Sequence, residues 1–171
     1  RPANVYAFSK VILDNLARMS AAENKNWKII GVRYFNVYGP REAHKGVPAS
    51  MIWHLSQQMK GGKNPRIFKS GQHLRDFIYV KDAVKNTILA LSSPKNHAIY
   101  NTGSGIARTF NELVAILNKT LGVNRQTEYF ENPHKHYQGH TEADLTLSKK
   151  DLGFQPDYTL EEGVADYMNW L

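Results

Sequence analysis

The chain has 171 residues, 42% of them hydrophobic, which is enough for one compact domain with a substantial core and too little to expect two. It contains no run of about 18 apolar residues and no apolar segment at its amino end, so we expect neither a membrane-spanning helix nor a secretory leader. Cysteine is absent, which excludes disulfides and thiolate metal sites and fits a reducing compartment such as the cytoplasm.

The net charge of +7 and the isoelectric point near 9.5 raise the question of nucleic-acid binding. The 22 basic residues are, however, scattered among 15 acidic ones, and the longest basic block is Lys149-Lys150. A solvated surface therefore explains the charge better than a nucleic-acid interface does. A basic cleft for a small phosphorylated ligand remains open.

Helical and strand patterns alternate from the start of the chain. Residues 4–22 carry apolar side chains at helical period and predict an amphipathic helix. Residues 28–35 form an apolar run without alternation, the pattern of a strand buried on both faces of a parallel sheet. After a loop at residues 36–46, we expect a helix with Pro48 in its first turn that ends at Gly61-Gly62.

The rest of the chain continues this alternation. Strands are predicted at residues 66–68, 75–80, 98–101 and 126–130, and a polar, histidine-rich loop at 132–141. Helices are predicted to begin at Asp82, acting as a cap, and at two capping boxes, Thr109-x-x-Glu112 and Thr159-x-x-Glu162. Strands alternating with helices over the whole length are typical of a doubly wound α/β fold or of a lobe attached to one.

Tyr6 and Lys10, four residues apart on the first predicted helix, form the most informative pair in the sequence. The spacing places a phenol and an ammonium about one turn apart on the same face. A phenol needs its pKa lowered by about 3 to act as a base near neutral pH, and a nearby positive charge works in that direction. The spacing alone is more often a half-buried ring beside a solvated lysine, so other motifs must decide.

Two longer motifs accompany this pair. Arg33-Tyr-Phe-Asn-Val-Tyr-Gly-Pro-Arg-Glu-Ala-His-Lys-Gly46 directly follows the predicted buried strand, where open α/β sheets bind their ligands, and Arg75-Asp-Phe-Ile-Tyr-Val80 lies in a later strand. Together with Tyr6-Ala-Phe-Ser-Lys10, these runs resemble the extended short-chain dehydrogenase/reductase superfamily of nucleotide-sugar epimerases and dehydratases. His44-Lys45-Gly46 and the run 137–146 resemble those members that epimerise ADP-heptoses.

The resemblance implies a redox epimerisation at C6 of an ADP-heptose, a step of lipopolysaccharide inner-core biosynthesis. Bound NADP, with NAD as the other candidate, would take hydride from C6 and return it to the opposite face of a transient ketone. Tyr6 would be the acid/base, Lys10 would hold the nicotinamide ribose, and Lys45 would be the second catalytic group. Inversion requires proton transfer on two faces, which gives a second base a physical reason. Without the resemblance, Lys45 would be interpreted as a solvated loop lysine.

The same resemblance assigns further residues to the cofactor and the substrate. Val37 and Lys45 would contact the cofactor together with Lys10. The residues that would line the ADP-heptose site are Asn36, Val47, His54, Phe68, Lys69, Ser70, Gly71, Arg75 and Tyr137. Arg75 has an independent reason, since a guanidinium binds two phosphate oxygens at once, although an ion pair with Asp76 is an equal alternative. His54 lies on an apolar helix, so a buried histidine with satisfied hydrogen bonds competes with a ligand contact.

Two motifs imitate other kinds of site. Gly103-Ser-Gly-Ile-Ala-Arg108 lies between a predicted strand and a predicted helix like a dinucleotide-binding loop, but it lacks the third glycine. We therefore interpret it as a turn that leads into the helix. His134, His136 and His140 have metal-like spacing, but neither cysteine nor an HExxH helix supports them. No metal site is predicted.

The glycine-rich cofactor loop of the superfamily and the Ser/Thr partner of its tyrosine belong before Tyr6, and neither is in this sequence. Residues 1–171 are therefore expected to form one unit, the end of a doubly wound NAD(P)-binding Rossmann fold with the smaller α/β substrate-binding lobe, inactive alone. The alternatives are a UDP-hexose 4-epimerase, a nucleotide-sugar dehydratase and a stand-alone noncatalytic nucleotide-sugar-binding module. The resemblance also implies a homo-oligomer, a pentamer among the candidates, with neither nucleic acid nor membrane as a partner.

Overall fold

The computed structural model of the chain describes residues 2, 4–133 and 137–171. Within those residues, helices and strands alternate along the chain. In order they are α1 (Val5–Glu23), β1 (Ile29–Tyr34), β2 (Asn36–Tyr38), a 3₁₀ helix (Ala43–Lys45), α2 (Met51–Lys60), β3 (Arg66–Phe68), β4 (Leu74–Tyr79), α3 (Val80–Leu91), β5 (His97–Thr102), β6 (Ala107–Thr109), α4 (Phe110–Leu121), β7 (Glu128–Phe130), β8 (His140–Thr141), α5 (Thr146–Leu152) and α6 (Leu160–Trp170). The predicted α/β class is confirmed.

Helix α1 begins where the sequence predicts it. Asn4 is the N-cap, and its Oδ1 accepts a hydrogen bond from the Ala7 N–H at 2.8 Å. The apolar residues of the helix are mostly uncovered, since Phe8 and Leu16 are more than half exposed and only Ala21 of its 19 residues is buried. The amphipathic pattern is therefore present, but its apolar face has little packed against it in the described residues.

Strand β1 pairs in parallel with β5, with Ile30 opposite Ala98 and Val32 opposite Tyr100. The predicted parallel strand is confirmed, whereas the predicted burial on both faces is wrong. The first four residues of β1 are half-buried and the last two are exposed. In the described residues β5 is its only hydrogen-bonded neighbour, so β1 is an edge strand of a two-stranded sheet rather than the interior strand that the sequence predicts.

Strand β4 connects most of the remaining sheet and is buried along nearly its whole length. Strand β2 pairs with it in parallel, β6 in antiparallel and β8 in parallel. The predicted loop at 36–46 is therefore partly wrong, because residues 36–38 are drawn into this ladder as β2. Strands β3 and β7 form a separate parallel pair.

Helix α2 starts later than predicted. Ser50 is its N-cap, and the Ser50 Oγ accepts the Trp53 N–H at 3.2 Å, so Pro48 lies in the turn before the helix. Gly61 follows the last helical residue as the sequence predicts. A local hydrogen bond, rather than the fixed φ of proline, thus determines where this helix begins.

Asp82 does not cap α3. It lies within the first turn, and its carboxylate accepts the N–H groups of Asp157 and Tyr158, which belong to a loop 75 and 76 residues further on. The prediction failed because the partners of a buried carboxylate are chosen by tertiary packing. Strands β6 and β8 and helix α5 were not predicted, and the two strands owe their existence to pairing with β4.

Both predicted capping boxes are confirmed, at the starts of α4 and α6. Helices α2, α4 and α6 pack over one side of the β2–β4 ladder, with Leu55, Leu113, Val164 and Tyr167 fully buried between them. This core holds β4 and the loops around it in place. None of the helices in the described residues is long and apolar enough to cross a membrane.

Candidate active site

An open groove of about 730 Å³ lies between α1 and the strands β1, β2 and β4. Tyr6 and Lys10 line it from α1, Asn36 from β2 and Arg75 from β4. Gln138, just before β8, and Thr141, in β8, form part of its wall. The fold therefore brings together four residues that lie as much as 69 positions apart in the sequence and that the sequence analysis assigned to one site.

Tyr6 and Lys10 lie on one face of α1. The Lys10 Nζ is 5.0 Å from the centroid of the Tyr6 ring, a distance at which an ammonium is attracted to an aromatic face. The Tyr6 side chain is 70% exposed, and it borders the groove. The proximity predicted from the i, i+4 spacing is confirmed, and the phenol is accessible from the groove.

Arg75 is buried although it is charged, with 8% of its surface exposed. Its guanidinium donates to the Leu74 carbonyl at 2.7 Å and to the Gln138 carbonyl at 2.6 Å, and it lies 4.5 Å from the Tyr137 ring centroid. The alternative of an ion pair with Asp76 is not formed, since the Asp76 carboxylate takes its hydrogen bonds from other groups. Neutral carbonyls thus orient the guanidinium and leave its positive charge available to an anion.

Tyr137 joins Arg75 to a cluster of aromatic rings. Its ring packs edge-on against Phe68, with centroids 5.2 Å apart, and against His73, with centroids 5.0 Å apart. Phe68, Arg75 and Tyr137, which the sequence analysis assigned to the substrate, are therefore neighbours. His73 was not predicted, and no motif in the sequence indicates it.

The residues after Phe68 lie at a different place on the surface. Lys69 and Ser70 border a second open groove of about 790 Å³, and the Lys69 Nζ pairs with Glu131 at 3.2 Å. Gly71 has φ of +76°, and a Cβ there would lie 2.1 Å from the Asn111 Oδ1, so only glycine fits. Neither Lys69, Ser70 nor Gly71 lines the groove that contains Tyr6.

Lys45, Val47 and His54 are not brought to the groove of Tyr6 either. Lys45 is exposed at the end of the 3₁₀ helix, and Val47 is 91% exposed. The His54 Nε2 lies 3.1 Å from the Val47 carbonyl oxygen, so this half-buried histidine already has a hydrogen-bond partner in the chain.

The loop that carries Lys45 is anchored by a buried acid that the sequence analysis did not single out. Glu42 is 3% exposed and accepts hydrogen bonds from the N–H and the Oγ of Ser50, both at 2.7 Å. Burial and the charge of Glu42 raise the pKa of the neighbouring Tyr167 phenol. Glu42 therefore ties the 3₁₀ helix to the start of α2.

Val37 is half-buried in β2 and packs against a core cluster that includes Ile78 and Ala143. Its side chain does not line the groove. A cofactor contact by Val37 stays a prediction.

The sequence analysis interprets Gly103–Gly105 as a turn into a helix rather than as a dinucleotide-binding loop. In the structure this turn leads first into β6, and α4 follows that strand. The N–H groups of Ser104 and Gly105, which would face a phosphate in such a loop, instead donate to the carboxylate of Asp76 at 2.6 and 2.9 Å. The signal that was missed is the acid itself, since Asp76 is a carboxylate inside a strand whose next three residues are Phe77, Ile78 and Tyr79.

Of the three histidines with metal-like spacing, His134 and His136 lie outside the described residues. His140 is exposed, and its Nε2 is 3.0 Å from a carboxylate oxygen of Glu142. Residues 2, 4–133 and 137–171 contain no group of three or more side chains arranged to hold a metal ion.

The fold and the Tyr6–Lys10 groove agree with the comparison to known families. The model of the NAD dependent epimerase/dehydratase family matches residues 1–103, and the chain belongs to this family. Among curated proteins, it is similar to the ADP-L-glycero-D-manno-heptose-6-epimerase of Pseudomonas aeruginosa strain UCBPP-PA14, with 37% identity over 100% of this chain. The alignment covers 58% of that relative, so the chain spans little more than half of its length.

Solved structures give the same family. The ADP-L-glycero-D-manno-heptose-6-epimerase of Helicobacter pylori superposes with a TM-score of 0.84 at 37% identity, over 97% of this chain and 50% of that one. The UDP-glucose 4-epimerase of Thermotoga maritima, solved with UDP-glucose, superposes with a TM-score of 0.88 at 30% identity, over 96% and 52%. The fold is thus shared by epimerases of different sugars, while the sequence is more similar to the heptose enzymes.

Proposed function

We propose that the full-length gene product containing this chain converts ADP-D-glycero-D-manno-heptose to ADP-L-glycero-D-manno-heptose by inverting C6. The observation that carries this proposal is the 37% identity to heptose epimerases across the chain. The groove supports it, since it places Tyr6 and Lys10 opposite an amide and a guanidinium suited to a sugar diphosphate.

The residues present fit one part of a nicotinamide cofactor. A phenol and an ammonium one turn apart border the groove, and Gly31 and Val32 add apolar surface to its wall. The cofactor supplies the hydride carrier when it is bound. Tyr6 then accepts the proton of the C6 hydroxyl as the carbonyl forms, and Lys10 hydrogen-bonds the ribose. Lys45 donates a proton to the carbonyl oxygen when the carbonyl is reduced from the other face.

Lys45 acts in this proposal as the second acid/base, on the face of the sugar opposite Tyr6. Its exposure at the end of the 3₁₀ helix leaves the ammonium free to approach a bound sugar, while the buried Glu42 holds the base of the loop. Val37 would lie beside the cofactor. The substrate would be bound by Asn36, Val47, His54, Phe68, Lys69, Ser70, Gly71, Arg75 and Tyr137, with Arg75 on the diphosphate.

The family is NAD-dependent by description, and the preference for NADP over NAD is part of this proposal. A homo-oligomer, in the cytoplasm, completes it. The exposed apolar residues of α1 support association, because contiguous apolar surface on a soluble protein is usually covered by a partner.

A UDP-hexose 4-epimerase is the second candidate. The observation that favours it is the TM-score of 0.88 to a UDP-glucose 4-epimerase, which is not lower than the value for the heptose enzyme. A dehydratase shares the Tyr6–Lys10 chemistry, and a noncatalytic nucleotide-sugar-binding module needs only the groove.

The test is an assay of the full-length gene product with ADP-D-glycero-D-manno-heptose and, separately, with UDP-galactose. We expect inversion at C6 of the heptose and no conversion of UDP-galactose. Proton NMR measures the inversion. Conversion of UDP-galactose alone would assign the second candidate. Binding of either nucleotide sugar without conversion would leave the noncatalytic module.

A further inference from the structure

We propose that Asp76 is a positioning residue of the substrate groove, because its carboxylate holds two separate chain segments against β4 and thereby fixes Arg75, while its backbone carbonyl orients Asn36. The two segments are the turn Gly103–Gly105 and residues 138–143. The proposal rests on the proposed function in one respect, which is that a nucleotide sugar binds in the groove that contains Tyr6.

The carboxylate of Asp76 is fully buried and is surrounded by hydrogen-bond donors. Its Oδ1 accepts the N–H and the Oγ–H of Ser104 at 2.6 and 2.7 Å. Its Oδ2 accepts the N–H groups of Gly105 at 2.9 Å and Ala143 at 3.0 Å. A buried carboxylate is costly unless its charge is compensated, and here three backbone N–H groups and one hydroxyl compensate it.

The bond to Ala143 acts on the wall of the groove. Ala143 follows β8, which pairs with β4 over only two residues, with Leu74 opposite His140 and Arg75 opposite Thr141. The same short segment supplies the Gln138 carbonyl that orients the Arg75 guanidinium. A two-residue strand has few ladder hydrogen bonds of its own, so the bond from the Ala143 N–H to the Asp76 carboxylate is a substantial additional anchor of this segment.

Asp76 also fixes the other side of the groove, through its backbone. The Asn36 Nδ2 donates to the Asp76 carbonyl oxygen at 3.0 Å, which sets the orientation of the Asn36 amide. Asp76 therefore contacts Asn36 directly, and it acts on Arg75 through residues 138–143. Neither of its carboxylate oxygens lines the groove, which distinguishes a positioning residue from a catalytic one.

Gly103 gives independent evidence that the chain is built closely around this carboxylate. A Cβ at position 103 would lie 2.6 Å from the Asp76 Oδ2 and 2.4 Å from the Ala143 Cβ. No side chain fits there, so the absence of one at Gly103 allows the turn and residue 143 to meet at Asp76.

An asparagine cannot replace Asp76 in this arrangement. Each carboxylate oxygen faces at least one backbone N–H, so the amide nitrogen of asparagine would oppose a donor in either orientation. Asp76→Asn keeps the size of the side chain and removes the hydrogen bonds accepted by one of the two carboxylate oxygens, either those from Ser104 or those from Gly105 and Ala143. We expect the segment 138–143 to loosen while the core between α2, α4 and α6 stays folded.

Asp82 offers a matched control. It is also a buried aspartate, at 1% exposure, and it also accepts two backbone N–H groups, those of Asp157 and Tyr158. Burial raises its pKa, with the two backbone hydrogen bonds opposing the rise. The groove of Tyr6 is lined by neither Asp82 nor its partners Asp157 and Tyr158. Asp82→Asn therefore makes the same chemical change at a site without a proposed role.

The experiment compares wild type, Asp76→Asn and Asp82→Asn in the full-length gene product. For Asp76→Asn we expect the KM for the nucleotide sugar and the Kd for ADP to rise about tenfold, with kcat changing less. For Asp82→Asn we expect both constants to stay within about twofold of wild type. Equal increases of KM and Kd in the two variants, or no increase in Asp76→Asn, would overturn the proposal.

Amide hydrogen exchange gives a readout that does not depend on the identity of the sugar. Asp76→Asn should exchange faster at residues 104, 105 and 143, and Asp82→Asn at residues 157 and 158. In wild type, saturating ADP should slow exchange at Ala143, and this measurement stands even if Asp76→Asn does not fold. No change at Ala143 on ligand binding would contradict the proposal.

If wild type converts UDP-galactose instead of the heptose, the proposed function fails, and UDP replaces ADP as the probe for Asp76.

Discussion

Single side chains in the proposed site differ in how firmly the fold holds them. Tyr6 and Lys45 are exposed, whereas Arg75 is buried and donates to two carbonyl oxygens. Removing a group that exchanges protons reduces the rate of the chemical step, and removing one that orients the substrate reduces affinity. The two kinds of residue are therefore distinguished by kcat and KM measured on the same variants.

Replacing Tyr6 by Phe should lower kcat by about 10²- to 10⁴-fold, because the ring is kept and only the hydroxyl that exchanges the proton is lost. KM should change little, and the measurement is steady-state turnover of the nucleotide sugar by the full-length protein. Tyr158→Phe is the control, since Tyr158 does not line the groove. Turnover at the wild-type rate in Tyr6→Phe would exclude Tyr6 as the acid/base.

Replacing Lys45 by Met should lower kcat by about 10²-fold or more and change cofactor affinity far less, since methionine removes the ammonium but keeps most of the side chain. Lys63→Met, a change at another exposed lysine, should have no effect. Cofactor affinity is measured by titration and kcat by turnover. Unchanged kcat in Lys45→Met would show that Lys45 is not a catalytic group but a solvated loop lysine.

At the scale of elements, helices α4 and α6 share one device at their starts. In each, a glutamate accepts hydrogen bonds from the N–H and the Oγ1 of a threonine three residues before it. The backbone hydrogen bond of Thr109 is the main cause that lowers the pKa of Glu112, and that of Thr159 lowers the pKa of Glu162. The charged form of each glutamate is therefore favoured in the folded state.

These lowered pKa values predict a pH dependence of stability. A group whose pKa is lower in the folded state stabilises the fold above its unfolded pKa, and that contribution is lost as the pH falls through the folded value. The variant Glu112→Gln/Glu162→Gln should be less stable at neutral pH and should lose less stability than wild type as the solution is acidified below about pH 5. Urea denaturation at several pH values measures this. Glu23→Gln should follow the wild-type profile, and a double variant that also follows it would contradict the prediction.

For the whole molecule, the most consequential surface is the apolar face of α1. Phe8, Ile12, Leu16 and Met19 recur at spacings of three and four residues and are 41–59% exposed. The 171-residue chain produced alone should therefore self-associate, with sedimentation coefficients that rise with concentration.

Two lysines on this face should reduce that association. Ile12→Lys/Leu16→Lys keeps good helix formers and places charge in the middle of the face. Val84→Lys/Ile88→Lys is the matched control, since these residues of α3 are also exposed and four apart. A wild-type chain that stays monomeric over the whole concentration range, or equal behaviour of both variants, would show that this face does not mediate association.

The parts of the fold that the sequence predicted depend on contacts within a few residues. The side chains of Asn4, Thr109 and Thr159 accept hydrogen bonds from N–H groups three residues further along the chain. Their capping roles can therefore be predicted without knowledge of the fold. The Tyr6–Lys10 proximity follows from helical spacing for the same reason. The two-residue strand β8 and the interior position of Asp82 were not predictable, because their partners lie tens of residues away.

The sequence by itself determined the α/β class, both capping boxes, the Tyr6–Lys10 pair and, through its motifs, membership of the epimerase family. Only the tertiary structure decided that Arg75 is held by carbonyl oxygens rather than by Asp76, and that Asp76 binds Ser104, Gly105 and Ala143. The physical reason is that helix spacing and capping are set by local backbone geometry. The partner of a buried charge is instead chosen among all donors and acceptors that folding brings within about 3 Å.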